Sequence, residues 1–135
     1  MNTESDQAAP VGPDPSLACF VLLAKFLGVP VDPEQIAHDR GKGVDPYPLE
    51  DLNRIARKLG LIAGLRKGVV AKDLAKLPLP ALIEMPAEEA VILLRVEDDA
   101  LNPRYLIQRG DGERPEVWSS EEMADRFSSR VLLLT

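Results

Sequence analysis

Cys19 and His38 are the chain's single cysteine and single histidine, and they are the first candidates for covalent catalysis. A cysteine nucleophile needs a base, commonly a histidine, and first-turn amides of a helix help to stabilise its thiolate. Cys19 lies one turn past the helix start signal Asp14-Pro15, and His38 lies in the polar stretch AHDRG. A buried structural cysteine and a surface histidine are therefore favoured, and a Cys19/His38 peptidase is the alternative.

Other ligand-binding patterns in the sequence are weak. One cysteine, one histidine and scattered carboxylates do not form a ligand-spaced cluster, so no metal site is predicted. The stretch HDRGKGVDP lacks the spacing and the Lys-Ser/Thr pair of a phosphate-binding loop. The acidic turns DDALNP and GDGE lack the alternating ligands of a calcium loop. We therefore expect no cofactor in this domain.

The composition predicts one soluble domain with an aliphatic core. The chain has 135 residues, of which 45% are hydrophobic and only 4% aromatic. The formal charge of -6 argues against a nucleic-acid partner, which requires a basic patch. One cysteine excludes an intrachain disulfide, and neither a signal peptide nor an apolar run of about 18 residues is recognisable.

Cys19 and His38 lie in the first part of the chain, which is predicted to be mainly helical. Residues 1–13 are polar and predict a disordered lead-in, so the domain is assigned to residues 14–135. Helices are predicted from Asp14 to Gly28, over VDPEQIAHD, and over PLEDLNRIARKLGL with Gly60 after its end. A turn-rich loop, GKGVDPYP, separates the last two.

After Gly60, the spacing of the apolar residues changes from one typical of helices to one typical mostly of strands. Strands are predicted at LIAGLRK, LPALIEM, EAVILLRV, RYLIQRG, PEVWS and VLLLT, a short helix at VVAKDLAKL, and a further helix at SSEEMADRFSS capped by Ser119 or Ser120. Helices followed by mainly adjacent strands predict an α+β fold, with the N-terminal helices packed on an antiparallel β-sheet.

This order of elements resembles a known family. The segments that carry the likeness are DPSLACFVLLAKFLGVPVDPEQIAHD, DLNRIARKLGLIAGLRK, LPALIEM with VILLRV, and RYLIQRGDGERPEVWSSEEMADRF. They resemble the papain-like cysteine peptidase domain of bacteriocin-exporting ABC transporters, which cleaves a double-glycine leader. The resemblance is stronger to its inactive version at the N-terminus of type I secretion ABC transporters that export haemolysins and repeat adhesins. It implies a papain-like cysteine peptidase fold.

The resemblance also implies which catalytic positions have changed. The nucleophile position falls on Pro15, and Cys19 matches a second, non-catalytic cysteine of the family. The base position falls at or next to Ala90, where no histidine lies nearby, and His38 matches no catalytic position. Without a thiol and a base, a site of this kind cannot carry out peptide cleavage. A degenerate, non-catalytic domain is therefore expected.

The remaining two positions of the family's site are also altered. The oxyanion-hole glutamine would align with Ala9, with Gln7 out of register. The acidic residue that orients the base would fall at about Gln108 or Arg109, with Asp111 displaced by two residues.

By the same resemblance, the domain would bind the unfolded secreted polypeptide, of the RTX type, at the cytoplasmic face of the bacterial inner membrane. Its other partners would be the membrane and nucleotide-binding parts of the same transporter, where ATP and magnesium would bind. A vestigial cleft is expected where Pro15, Glu84 and Ala90 converge. Tyr47 and Trp118 are candidate contact aromatics, although core packing is the alternative for Trp118. A purely structural or regulatory domain that contacts the ATPase part is a further possibility.

Overall fold

The chain forms helices on both faces of one antiparallel sheet in this computed structural model, which describes residues 14–40, 47–86, 89–97, 102–110 and 114–134. The helices are α1 (Pro15–Phe26), α2 (Pro33–Arg40), α3 (Leu49–Lys58), a 3-10 helix (Ala71–Lys76) and α4 (Ser120–Arg126). The strands are β1 (Ala63–Arg66), β2 (Ala81–Met85), β3 (Glu89–Glu97), β4 (Arg104–Gln108), β5 (Glu116–Trp118) and β6 (Val131–Leu134). The predicted α+β class is confirmed.

The start of α1 follows from its local sequence. The Asp14 carboxylate accepts hydrogen bonds from the backbone amides of Ser16 at 3.1 Å and Leu17 at 3.2 Å, and Pro15 occupies the first helical position. This arrangement satisfies amides that have no partner within the helix. After α1, Gly28 adopts a φ of 83°, which a residue with a side chain rarely adopts. The predicted boundaries of this first helix are therefore confirmed to within two residues.

The strand order in the described sheet is β1-β6-β2-β3-β4-β5, with antiparallel pairing throughout. Strand β2 pairs with β3 in a register that sets Glu84 opposite Ala90. The last strand, β6, lies between β1 and β2, so strands distant in sequence become neighbours. Several predicted strands are shorter in the structure: LIAGLRK contains only Ala63–Arg66, and RYLIQRG only Arg104–Gln108.

Two hydrophobic clusters cover the two faces of this sheet. On one face α1 and α3 pack against Leu82, Ile92 and Leu132. On the other face α4 and the 3-10 helix cover Ile83, Ile107 and the ring of Trp118. Because successive strand residues point to opposite faces, the near-continuous apolar runs of β2 and β6 supply both clusters. The predicted helical layer is confirmed, and α4 adds a second layer opposite it.

The N-cap of α4 is Ser119, and not Ser120, the other residue that the sequence offered. The Ser119 hydroxyl accepts a hydrogen bond from the Glu122 amide at 3.1 Å, and the Glu122 carboxylate accepts one from the Ser119 amide at 3.0 Å. This capping box satisfies donors at both positions. Of the helices in the described part of the chain, none combines the length and hydropathy needed to cross a bilayer.

Candidate functional site

The first turns of α1 are hydrogen-bonded to the start of β3. The Ala90 amide donates to Ser16 Oγ at 2.8 Å, and the Cys19 thiol donates to the Ala90 carbonyl at 3.3 Å. Ser16 and Cys19 are three residues apart in the helix, so their side chains point to the same side. All three residues are buried. Helix α1 therefore binds both backbone groups of Ala90, the position at or next to which the resemblance places the family's base.

A close backbone approach joins α1 to the segment that follows β4. A Cβ atom placed on Gly110 would lie 2.5 Å from the backbone nitrogen of Cys19 and 2.6 Å from the Cβ of Ala18. Distances this short are repulsive, and the neighbouring atoms belong to a helix that cannot easily shift. Glycine is required at position 110 because of this steric constraint.

A small cavity of about 160 Å³ lies among these elements. The residues that line this α1–β3 cavity are Pro15, Cys19, Glu89, Ala90, Val91, Arg109 and Gly110. The structure thus brings together Pro15, Ala90 and Arg109, three of the positions singled out from the sequence. The first two offer only a pyrrolidine ring and a methyl group. Glu89, which the sequence reasoning missed, contributes an exposed carboxylate beside Ala90.

Arg109 introduces a positive charge where the family's acidic residue is expected. Its Nε atom donates to Glu116 at 2.5 Å, and the indole nitrogen of Trp118 donates to the other carboxylate oxygen of Glu116 at 3.1 Å. The hydrogen bond from Arg109, followed by that from Trp118, lowers the pKa of Glu116 against the opposing effect of burial. A guanidinium held in this way cannot accept a proton or orient an imidazolium. Asp111 lies outside the described residues, as do Ala9 and Gln7.

Cys19 and His38 lie in different environments. Cys19 is 1% exposed and donates its thiol hydrogen to a carbonyl, whereas His38 is exposed on α2. A nucleophile needs access to the substrate and a base that removes its proton. The prediction of a buried structural cysteine and a surface histidine is therefore confirmed.

Glu84 lies opposite Ala90, but its carboxylate is used elsewhere. Its Oε2 accepts a hydrogen bond from Arg130 Nη1 at 3.2 Å, and Arg130 Nη2 lies 2.5 Å from a carboxylate oxygen of Glu50. The hydrogen bond between Arg130 and Glu50 is the main cause of the lowered pKa of Glu50. Glu84 is 6% exposed and is not among the residues that line the α1–β3 cavity. The structure does not direct the Glu84 carboxylate toward the expected cleft.

Both candidate aromatics are part of the core. Tyr47 is 6% exposed in the cluster beneath α1, and its amide donates to Asp14 at 3.4 Å. Trp118 is 1% exposed on the opposite face of the sheet, with the Arg126 guanidinium 4.9 Å from its ring centroid. The alternative of core packing describes Trp118, and the structure does not bring either ring to the α1–β3 cavity.

A second and larger depression, of about 320 Å³, lies between α2 and α3. Its apolar lining consists of Pro30, Val31, Ile36, Ile55 and Leu59, and its charged or polar lining consists of Asp32, Gln35, Asp39, Asp51, Arg54 and Lys58. We call it the α2–α3 groove. The sequence reasoning did not identify it, although the spacing of Ile55 and Leu59 on one side of α3 was visible. Within the described residues, no group of three or more His, Cys, Asp or Glu side chains is arranged to hold a metal ion.

No protein-family model matches the chain. Several curated proteins are similar to it over 90% of its length. The cyclolysin secretion/processing ATP-binding protein CyaB of Bordetella pertussis is 31% identical over 121 residues, and the toxin RTX-III translocation ATP-binding protein of Actinobacillus pleuropneumoniae is 33% identical over 128 residues. The chain spans only 16% and 17% of the length of these two proteins.

Solved structures share the fold. The N-terminal peptidase-like domain of a toxin secretion ATP-binding protein from Vibrio parahaemolyticus superposes with a TM-score of 0.72 at 19% identity, covering 93% of this chain and 98% of that one. A double-glycine motif protease of an AMS/PCAT transporter, crystallised with its leader peptide, gives a TM-score of 0.76 at 19% identity and covers 94% of this chain and 91% of that one. The expected papain-like peptidase fold is therefore confirmed.

Proposed function

The chain belongs to the family of double-glycine peptidase-like domains found in type I secretion ABC transporters, and on that premise we propose that it is a non-catalytic domain of such a transporter. It binds the exported polypeptide of the RTX type while that polypeptide is unfolded, and so assists its export. The domain works at the cytoplasmic face of the bacterial inner membrane, and the ATP and magnesium that drive export bind to another part of the transporter.

The composition of the α1–β3 cavity carries the proposal that catalysis is absent. Peptide cleavage by this type of site requires a thiol nucleophile and a base within hydrogen-bond reach of it. Pro15 and Ala90 provide neither group. The thiol of Cys19, which also lines the cavity, donates its hydrogen to the Ala90 carbonyl and is almost inaccessible to solvent. A positively charged Arg109 in place of a carboxylate removes the remaining support for an imidazolium.

Binding of an unfolded polypeptide is supported by two surface features outside the α1–β3 cavity, the sheet edges and the α2–α3 groove. A flexible chain can be held by apolar side chains in a groove or by an additional strand at a sheet edge. The described sheet ends in the short edge strands β1 and β5, and the α2–α3 groove is open. Ordering a flexible ligand costs conformational entropy, so we expect weak and reversible binding, which suits a substrate that must move on.

Deletion of the encoding gene tests the proposal. We expect one or more polypeptides to disappear from the culture medium of the deletion strain. That polypeptide is then purified, unfolded in urea and titrated into the isotope-labelled chain, with the refolded polypeptide as the control. Saturable NMR shifts with the unfolded form alone, and an intact polypeptide by mass spectrometry, are expected.

Three other outcomes contradict the proposal in different ways. Cleavage of the polypeptide restores the peptidase interpretation. An exported polypeptide that does not bind favours a domain that contacts only other parts of the transporter. An unchanged set of secreted proteins removes the transporter role itself.

A further inference from the structure

We propose that the exported polypeptide docks in the α2–α3 groove, through a segment that combines apolar side chains with lysine or arginine. This inference rests on the proposed function, and it assigns both a surface and a ligand chemistry. The α1–β3 cavity is the expected place by resemblance, but its volume of about 160 Å³ is half the volume of about 320 Å³ in the groove.

Leu59 supplies exposed apolar surface in the groove, whereas Ile36 is buried and Val31 and Ile55 pack partly against the core. Ile55 in the last turn of α3 and Leu59, which caps the helix at its C-terminal end, lie one turn apart, and Ile36 and Val31 also line the groove. Leu59 remains 42% exposed. A cavity of about 150 Å³ in another protein holds a benzene molecule, so the groove has room for about two apolar side chains. A ligand that covered Leu59 would remove apolar surface from water, which favours binding.

The charges around the groove determine what must accompany the apolar side chains. Three aspartates line it against one arginine and one lysine, and Arg54 already donates to Asp51. On the α2 side, Asp32 accepts from the Glu34 amide at 3.0 Å and Asp39 accepts from the Gln35 side chain at 3.0 Å. Both donors are neutral, so neither of these bonds offsets the negative charge of its aspartate.

The charge balance therefore favours a cationic residue next to the apolar anchor. A lysine or arginine of the ligand would lie within reach of α2 carboxylates while its neighbours occupy the space between the helices. The same carboxylates disfavour an anionic lipid surface, and the whole chain carries a formal charge of -6. A polypeptide segment rather than a membrane is the occupant that fits.

A short synthetic peptide with leucine and lysine side chains is the first probe. Two matched peptides replace either the leucines by serine or the lysines by glutamate. We expect shifts at groove residues with the first peptide, binding weakened about tenfold by loss of the leucines, and weaker binding for the glutamate form at low salt. Equal binding of all three peptides, or shifts confined to other surfaces, would overturn the inference. So would co-sedimentation with anionic phospholipid vesicles that depends on Leu59.

Paired variants locate the site. Leu59→Ser is compared with Ile62→Ser, because Ile62 is 76% exposed but does not line the groove. Asp39→Asn is compared with Asp125→Asn, which removes an exposed carboxylate from α4 on the opposite face of the sheet. We expect Leu59→Ser to weaken binding about tenfold and Asp39→Asn to weaken it several-fold at low salt, with both controls unchanged. Urea unfolding of all four variants checks that they fold.

Competition separates this inference from the proposed function. The unfolded exported polypeptide is titrated into the native chain and into the Leu59→Ser variant, with the leucine-lysine peptide as competitor. Displacement by the peptide, together with weaker binding to Leu59→Ser, supports the groove. Unchanged binding without displacement overturns the groove and leaves the proposed function standing. If the polypeptide does not bind the native chain, the proposed function fails and this inference fails with it.

Discussion

The backbone amide of Ala90 donates a hydrogen bond to the hydroxyl of Ser16 at 2.8 Å, although the two residues are 74 positions apart in the chain. Together with the bond from Cys19 to the Ala90 carbonyl, this contact fixes α1 against the first residues of β3. Helix and strand are therefore held against each other beside the α1–β3 cavity, where Pro15 and Ala90 offer neither a thiol nor an imidazole.

Ser16→Ala should destabilise the fold. Ser16 is 1% exposed, so its loss leaves the Ala90 amide without its acceptor in a buried place, which costs about 1–3 kcal/mol. The free energy of unfolding in urea measures the effect. Ser128→Ala is the control, because Ser128 is exposed. Equal unfolding midpoints for the two variants would show that the Ser16 bond contributes nothing.

Gly110→Ala should destabilise the fold by steric overlap. The added methyl group would lie 2.5 Å from the Cys19 nitrogen, and relief of that contact requires α1 to move, at a cost of about 1–3 kcal/mol. Gly64→Ala in β1 is the matched control, since a Cβ there meets no atom within 4 Å. Thermal unfolding of both variants should show a lower midpoint for Gly110→Ala alone. The opposite order would mean that the segment after β4 shifts freely.

Pro15→Cys alone should not restore peptidase activity. The new thiol would lie at the position that the resemblance assigns to the nucleophile, but Ala90 offers no base and Arg109 no carboxylate. Incubation with a double-glycine leader peptide followed by mass spectrometry should show intact peptide. An active double-glycine peptidase serves as the positive control. Cleavage by the variant would mean that the assignment of the base position to Ala90 is wrong.

Cys19 should react slowly with iodoacetamide in the folded chain. The residue is 1% exposed and its thiol donates to a carbonyl, so alkylation requires local opening of the α1–β3 contact. Mass spectrometry at neutral pH should show little modification in buffer and rapid modification in concentrated urea. Pro15→Cys provides the comparison, because only the added thiol is expected to react quickly. Fast modification of the native chain would favour the alternative of a Cys19 nucleophile.

The ion pair between Arg109 and Glu116 should make stability depend on pH in the acidic range. The pKa of Glu116 in the folded chain lies below its ordinary value of 4.5 because Arg109 donates to it. The pair therefore stabilises the fold above pH 4.5, and the contribution disappears as the pH falls through the lowered pKa. The difference in unfolding free energy between the native chain and Glu116→Gln should shrink on acidification from neutral pH. If this difference in unfolding free energy stays constant with pH, the ion pair does not make stability depend on pH.

Much of the local structure could be predicted from the sequence because its signals are local. The Asp14-Pro15 start, the capping box at Ser119 and the apolar runs of β2 and β3 each depend on residues only a few positions apart. Boundaries were less accurate: the predicted strand LIAGLRK covers seven residues, whereas β1 holds four. Pairing with β6 sets the length of β1, and no local pattern contains that information.

The sequence by itself determined the α+β class and the absence of a thiol at position 15 and of an imidazole at position 90, and it favoured a structural role for Cys19 with a Cys19/His38 peptidase as the alternative. These conclusions need only residue types and short-range periodicity, together with the resemblance to a known family. The tertiary structure alone decided that Glu84 binds Arg130 instead of facing the cleft, that Trp118 is buried on the far face, and that α2 and α3 leave an apolar groove. Each of these depends on contacts between residues far apart in the chain, which form only when the whole fold is assembled.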